Sequence, residues 1–105
     1  MRSSQLMLAI ALAASPVFAQ APDTHSYIPA QGFVPNAETA ISIAVAIWGP
    51  IYGRENVASE QPYRATLRGE TWTVEGSLAP GHLGGVAIAE ISKRDGRIRR
   101  VSHGK

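Results

Sequence analysis

The chain has 105 residues, of which 45% are hydrophobic and 17% are charged, and it contains no cysteine. This length fits one domain with a small core, and the absence of cysteine excludes disulfide bonds and a lipid anchor on cysteine. The formal net charge of +2 is small, but the charge is distributed unevenly along the chain.

The first residues have the pattern of a secretory signal peptide. Arg2 precedes an apolar run from Leu6 to Ala14, and Val17-Phe18-Ala19 places small residues where a signal peptidase needs them. The apolar run is too short for a transmembrane helix. We therefore predict a signal peptide at residues 1–19, cleavage after Ala19 or Ala21, and export to a bacterial periplasm without a stable membrane anchor.

The next segment, residues 20–33, lacks hydrophobic periodicity and is rich in proline, so we predict a mobile leader. Residues 34–105 then form the folded domain. A core built from roughly 70 residues is close to the smallest that is stable alone. Without disulfides, the stability of the domain must come from this core or from a partner.

A helix is predicted from Asn36 to Gly53, and it is the most apolar stretch of the predicted domain. Asn36 is a favourable N-cap residue, and Glu38 places negative charge in the first turn. Apolar residues surround most of the helix, with Ile43, Ile47 and Ile51 on one line. Pro50 cannot bond back to the preceding turn, which predicts a distorted last turn ending at Gly53.

A loop from Arg54 to Gln61 is predicted next, followed by a hairpin. Apolar and polar residues alternate on both sides of Gly69-Glu70, the pattern of two strands joined by a type II′ turn. In the predicted register, Arg68 pairs with Thr71, Leu67 with Trp72, Ala65 with Val74 and Arg64 with Glu75. This register places apolar side chains opposite each other and joins opposite charges.

A glycine-rich loop from Leu78 to Gly85 separates this hairpin from a second one. We predict strands at Val86–Ser92 and Arg97–His103, joined by a turn with Gly96 in a bulge. The predicted register pairs Ile91 with Ile98, Glu90 with Arg99 and Ile88 with Val101. This hairpin would be apolar on both faces, which implies a closing loop or a binding surface.

The end of the chain is strongly basic. Residues 20–92 contain three basic against seven acidic residues, whereas residues 93–105 contain six basic residues against Asp95 alone. A basic terminal strand suits an acidic protein surface, anionic lipid or nucleic acid. It equally suits a solvated edge that protects the sheet from aggregation.

Catalytic and metal-binding motifs are weak. His82 and His103 with Glu90 lack metal-ligand spacing, and neither Ser77 nor Ser102 lies in a nucleophile elbow. The glycine loop lacks the lysine and hydroxyl of a phosphate loop. We therefore expect no cofactor, no metal and no catalytic residue. Four aromatic residues are expected in the core rather than in a ligand pocket: Trp48, Tyr52, Tyr63 and Trp72.

Several segments in order resemble the nuclear-transport-factor-2-fold immunity proteins, small domains found beside polymorphic toxins of bacteria. The resemblance covers Val34 to Lys105, and it rests on AIWGPIYG, QPYRA, GETWTVEGSL, GHLGGVAIAEI and the terminal RVSHGK. It implies that the chain binds and neutralises a cognate toxin without catalysis. The parent fold has more helices and a longer sheet around a deep pocket, so this chain resembles a reduced form.

We predict an α+β domain in which one N-terminal helix packs on a four-stranded antiparallel sheet of two hairpins. The expected partner is a toxin protein and not nucleic acid, and the oligomeric state is left open. The predicted partner-binding residues are the basic and imidazole side chains towards the end of the domain: His82, Arg97, Arg99, Arg100 and His103. The alternative is a periplasmic ligand-binding or peptidase-inhibiting module, which would use Tyr52 and Tyr63 in a cleft between helix and sheet.

Overall fold

The computed structural model describes residues 26–104. The predicted signal peptide and the first part of the predicted leader lie outside these residues. The described elements, in chain order, are α1 (Ala37–Tyr52), α2 (Arg54–Ala58), β1 (Arg64–Arg68), β2 (Thr71–Glu75), β3 (Ala87–Ser92) and β4 (Ile98–His103). The strands form one antiparallel sheet in the order β1-β2-β3-β4, and α1 packs across β1, β2 and β3. The predicted α+β fold is therefore confirmed.

Helix α1 begins as the sequence predicts. The side chain of Asn36 accepts a 2.9 Å hydrogen bond from the amide of Thr39, and Asn36 itself is extended. Pro50 lies inside the helix, which continues to Tyr52 and ends at Gly53. Gly53 has φ 92, a left-handed conformation that favours glycine, and its amide bonds to the carbonyl of Gly49.

The buried face of α1 is made of small residues and one large one. Ala40, Ala44 and Trp48, spaced four residues apart, are fully buried. The line of isoleucines lies beside this face, and Ile51 at its end is 57% exposed. The small side chains let the helix approach the sheet closely, so Trp48 fills the space that remains.

The region after α1 is not a loop throughout, which corrects the sequence interpretation. Residues Arg54–Ala58 form the short helix α2, and Val57 within it is buried. The Tyr63 hydroxyl donates a 2.8 Å hydrogen bond to the Val57 carbonyl and holds α2 beside β1. Five residues with one buried side chain are too few to produce a helical period in the sequence. Within the described part of the chain, neither helix is both long and apolar enough to cross a membrane.

The first hairpin has the predicted register. Arg64 lies opposite Glu75, Ala65 opposite Val74, and Leu67 opposite Trp72. Gly69 has φ 61, the positive value that the first position of the predicted turn requires. Strand β2 then pairs with β3 along its length, so Val74 lies beside Ala89 in the centre of the sheet.

The second hairpin departs from the predicted register by one residue. Ile91 does lie opposite Ile98, but Glu90 pairs with Arg100 and Ala89 with Val101. A register shift at Glu90/Ile91 inserts Arg99 as an extra residue in β4. The shift brings Val101 to the helix side of the sheet together with Ala89. The hairpin is consequently apolar mainly on one face, and the predicted apolar character of both faces is wrong.

The chain just before α1 is held by the rest of the domain. Amides of Phe33 and Val34 donate to the carbonyls of Arg94 and Lys93, at 2.9 and 3.0 Å. Val34 is fully buried, and its carbonyl accepts a 2.8 Å hydrogen bond from the indole of Trp72. Contacts with the β3–β4 turn therefore extend into the end of the predicted leader.

Candidate protein-binding surface

Strand β4 forms one edge of the sheet, and a group of exposed cations lies at its start and on the turn before it. We refer to Arg94, Arg97 and Arg99 as the arginine edge. All three side chains are exposed, and none of them forms an ion pair with a residue in the described range 26–104. Because they are exposed and form no ion pair in that range, these guanidinium groups are available to bond carboxylates on another molecule.

The turn that presents the arginine edge is held by internal hydrogen bonds. Asp95 accepts a 3.0 Å hydrogen bond from the amide of Arg97, and the amide of Gly96 bonds to the Ser92 carbonyl at 2.9 Å. The hydrogen bond from the Arg97 amide holds the pKa of Asp95 below its ordinary value. Asp95 therefore stays ionised and orders the backbone that carries Arg94 and Arg97.

Arg100 differs from its neighbours because it already has partners. Its guanidinium lies 3.1 Å from the carboxylate of Glu90 on β3, and it also donates to the hydroxyl of Ser102. These contacts place Arg100 on the face of the sheet opposite α1. At the other edge of this face, Arg64 pairs with Glu75 at 3.5 Å. Both ion pairs join partly exposed side chains, which is typical of a solvated surface.

The two histidines of the predicted site lie away from the arginine edge. His103 ends β4, so about 20 Å of strand separates it from Arg97. His82 is exposed in the loop between β2 and β3. Arg97 and Arg99 follow Arg94 on the turn and edge strand, whereas Arg100, His82 and His103 lie elsewhere on the domain.

His103 belongs to a polar junction that sequence reasoning missed. Its Nε2 atom lies 2.8 Å from Oε2 of Glu60, a residue just after α2, and its ring packs edge-on to Tyr52 at 5.0 Å. The other carboxylate oxygen of Glu60 accepts the amide of Ala87 at 2.8 Å. Glu60 and His103 are 43 residues apart, and no local spacing in the sequence links them.

Tyr52 and Tyr63, which the alternative hypothesis places in one cleft, line two different cavities. An apolar cavity of about 440 Å³ lies between α1 and α2, and Tyr63, Val45 and Val57 line it. Tyr52 lines a different cavity, with Glu60 and His103. The Tyr63 hydroxyl is also already bonded to the Val57 carbonyl. The two tyrosines therefore do not form the shared ligand cleft that the alternative hypothesis requires.

The aromatic residues serve mainly the core. Trp48 is fully buried and Trp72 is 7% exposed, and the Trp48 ring packs against Tyr63 with 5.9 Å between centroids. Within residues 26–104, no group of three or more His, Asp or Glu side chains is arranged to hold a metal ion. The main chemical features of the described surface are its exposed cations and hydrogen-bonding groups.

A family model described as NTF2 fold immunity protein matches residues 39–105. YhhH, an uncharacterized protein of Escherichia coli (strain K12), is 37% identical over 76 residues, which cover 71% of this chain and 60% of YhhH. YbbC, an uncharacterized protein of the same strain, is 38% identical over 55 residues, or 51% of this chain and 45% of YbbC. The chain thus spans less than two thirds of either relative. No solved structure matches it.

Proposed function

Since this chain belongs to the NTF2-fold immunity protein family, we propose that it is exported and neutralises a cognate bacterial toxin by direct protein contact, without catalysis. The proposal covers the mature chain, residues 20–105. Family membership supports a toxin as the partner. The exposed, unpaired arginine edge is the observation that supports protein contact as the means.

The arginine edge suits an acidic protein surface better than a small ligand. Three exposed cations lie on one turn and the edge strand that follows it. Arg94 also lines a cavity of about 420 Å³ with Glu70 and Lys93. Exposed guanidinium groups accelerate association with an acidic partner and form bidentate bonds with carboxylates after contact. Such a surface could cover the functional site of a toxin and block it.

The test of function is protection. Cells would express the toxin encoded beside this gene in their periplasm, together with the full chain or an empty vector. We expect growth only with the full chain. Growth arrest in both strains, with the chain present in the periplasm at a level equal to that of the toxin, would contradict the proposal.

The proposed export has a separate test. The pattern around Ala19 and Ala21 predicts that mass spectrometry of the periplasmic fraction finds a protein beginning at Gln20 or Pro22. A variant that lacks residues 2–19 should remain in the cytoplasm and give no protection against a periplasmic toxin. Recovery of the full-length chain from the cytoplasm alone would contradict export.

A further inference from the structure

The junction around Glu60 joins four parts of the domain. Its backbone carbonyl accepts the amide of Ser77 after β2, and its carboxylate accepts the amide of Ala87 at the start of β3. The same carboxylate contacts His103 at the end of β4. The side chain of Glu60 is only 14% exposed, so its charge is compensated chiefly by these bonds.

The two nitrogens of the His103 ring both face acceptors. Nε2 lies 2.8 Å from the Glu60 carboxylate, and Nδ1 lies 2.9 Å from the carbonyl oxygen of Gly104. Neither a carboxylate nor a carbonyl can donate a hydrogen. Both bonds therefore form together only when both ring nitrogens carry a proton, which is the imidazolium form of histidine.

The surroundings of His103 favour its charged form. The cavity beside the ring is lined by Tyr52 of α1, Asn56 of α2 and Ser59, together with Glu60, the one charged group in that lining other than His103. The hydrogen bond to Glu60, and next the one to Gly104, raise the pKa of His103 above its ordinary 6.5. Partial burial opposes this shift but is a smaller effect.

The backbone at the junction is packed too closely to accommodate a displaced side chain. A Cβ atom on Gly76 would overlap the carboxylate of Glu60, and a Cβ on Gly85 would overlap the backbone of Gly104. The amide of Gly104 also bonds to the Val86 carbonyl at 3.1 Å. The end of β4 and the base of the β2–β3 loop are consequently held by one set of bonds centred on Glu60.

We infer that His103 and Glu60 form a proton-controlled latch. With His103 protonated, the end of β4 and the base of the β2–β3 loop are fastened to the segment after α2. When His103 loses its proton, the ring can donate only one hydrogen bond and its contact with Glu60 no longer joins opposite charges, so the fastening of this corner of the domain weakens. The latch concerns the domain itself and is independent of the identity of any partner.

The latch is tested by nuclear magnetic resonance on the purified chain from residue 20, titrated between pH 5 and 9. We expect the His103 ring to titrate with a midpoint above 6.5, and the Ala87 and Gly104 amide shifts to follow the same curve. In Glu60→Gln the His103 midpoint should fall towards 6.5. The matched control, His82→Gln, removes an exposed histidine and should leave the His103 curve unchanged.

A second variant keeps the test decisive if Glu60→Gln does not fold. His103→Gln retains a donor for Glu60 but cannot titrate in this range, so the Ala87 amide should become independent of pH between 5 and 9. The inference is overturned if wild-type His103 titrates at or below 6.5. It is equally overturned if the Ala87 amide of the His103→Gln variant follows the same pH curve as in the wild type.

Discussion

The indole nitrogen of Trp72 donates a 2.8 Å hydrogen bond to the carbonyl oxygen of Val34, which precedes α1. Both residues are buried, so this bond joins the middle of the sheet to the chain entering the helix. It also places the entering segment against the turn that carries the arginine edge. The segment before α1 is thus a structural part of the domain.

This bond predicts the effect of Trp72→Phe. The substitution keeps an aromatic ring but leaves the buried Val34 carbonyl without its donor, which should cost about 1–3 kcal/mol of unfolding free energy. Chemical denaturation measures the loss. Hydrogen exchange should also show faster exchange at the amides of Phe33 and Val34, and unchanged exchange there would contradict the proposed role of the bond.

Trp48 is expected to be the largest single contributor to the core. It is fully buried between α1 and the sheet, so Trp48→Ala should cost about 3–5 kcal/mol. A small domain has a total stability of only about 5–15 kcal/mol, so much of the variant should be unfolded on warming. Ile51→Ala, on the same helix but 57% exposed, is the control and should shift the melting temperature little. A similar small shift for both variants would show that the described packing of Trp48 is wrong.

Two glycine substitutions should differ in the size of their effect on stability. Gly85→Ala would drive a methyl group into the backbone of Gly104, and should destabilise the domain because backbone atoms cannot yield cheaply. Gly49→Ala lies within α1, where the added methyl meets the Arg54 side chain at an ordinary 3.6 Å. Alanine favours a helix over glycine by about 0.5–1 kcal/mol, but the ring of Pro50 disfavours helical backbone for a preceding residue with a Cβ, so the net change in stability should be small. Thermal melts of both variants test the order, and a stabilising Gly85→Ala would contradict the close approach.

The stability of the domain should depend on pH through His103. Its pKa is raised in the folded state, so its contribution is complete below the unfolded value of 6.5 and is lost as the pH rises through the folded pKa. Between pH 6 and pH 9, the wild-type melting temperature should therefore fall more than that of His103→Gln. Parallel profiles for the two proteins would show that the histidine does not couple to folding.

Interactions between residues close together in the sequence were predictable, whereas those between distant residues were not. The first hairpin was predictable in full register because alternation, cross-strand charges and the Gly69 turn are local and agree. The bulge at Arg99 was not predictable, since one extra residue leaves the local pattern plausible in either register. The polar junction was not predictable either, because it joins Glu60 to His103, a residue 43 positions away in the sequence.

For helix α1, the two ends were predictable from the sequence but the buried face was not. Its start at Asn36 and end at Gly53 follow from capping chemistry, and both were predictable. Its buried face was not, because the apolar residues surround most of the helix and the pattern does not distinguish one face. The structure buries the small line of Ala40 and Ala44 with Trp48, since close approach to the sheet favours small side chains.

The candidate surface was predictable only in part. The excess of positive charge after residue 92 indicated a basic end of the chain, and the structure places Arg97 and Arg99 on an exposed edge. The pairing of Arg100 with Glu90 depends on the bulge, and the role of His103 depends on a distant element. Which of these residues contacts a partner stays a prediction.

The most direct measurement is the dissociation constant between the purified mature chain and the toxin encoded beside it. Wild-type protein should bind, and Arg97→Glu/Arg99→Glu should bind at least about 30-fold more weakly, because losing charge pairs that are buried in the interface costs about 2–5 kcal/mol, and the lower end corresponds to that factor. The control Arg54→Glu/Arg68→Glu makes the same charge change on α2 and β1 and should bind like the wild type. Circular dichroism establishes that each variant is folded. Wild-type affinity in the folded Arg97/Arg99 variant, or no binding by the wild-type protein, would contradict neutralisation through the arginine edge.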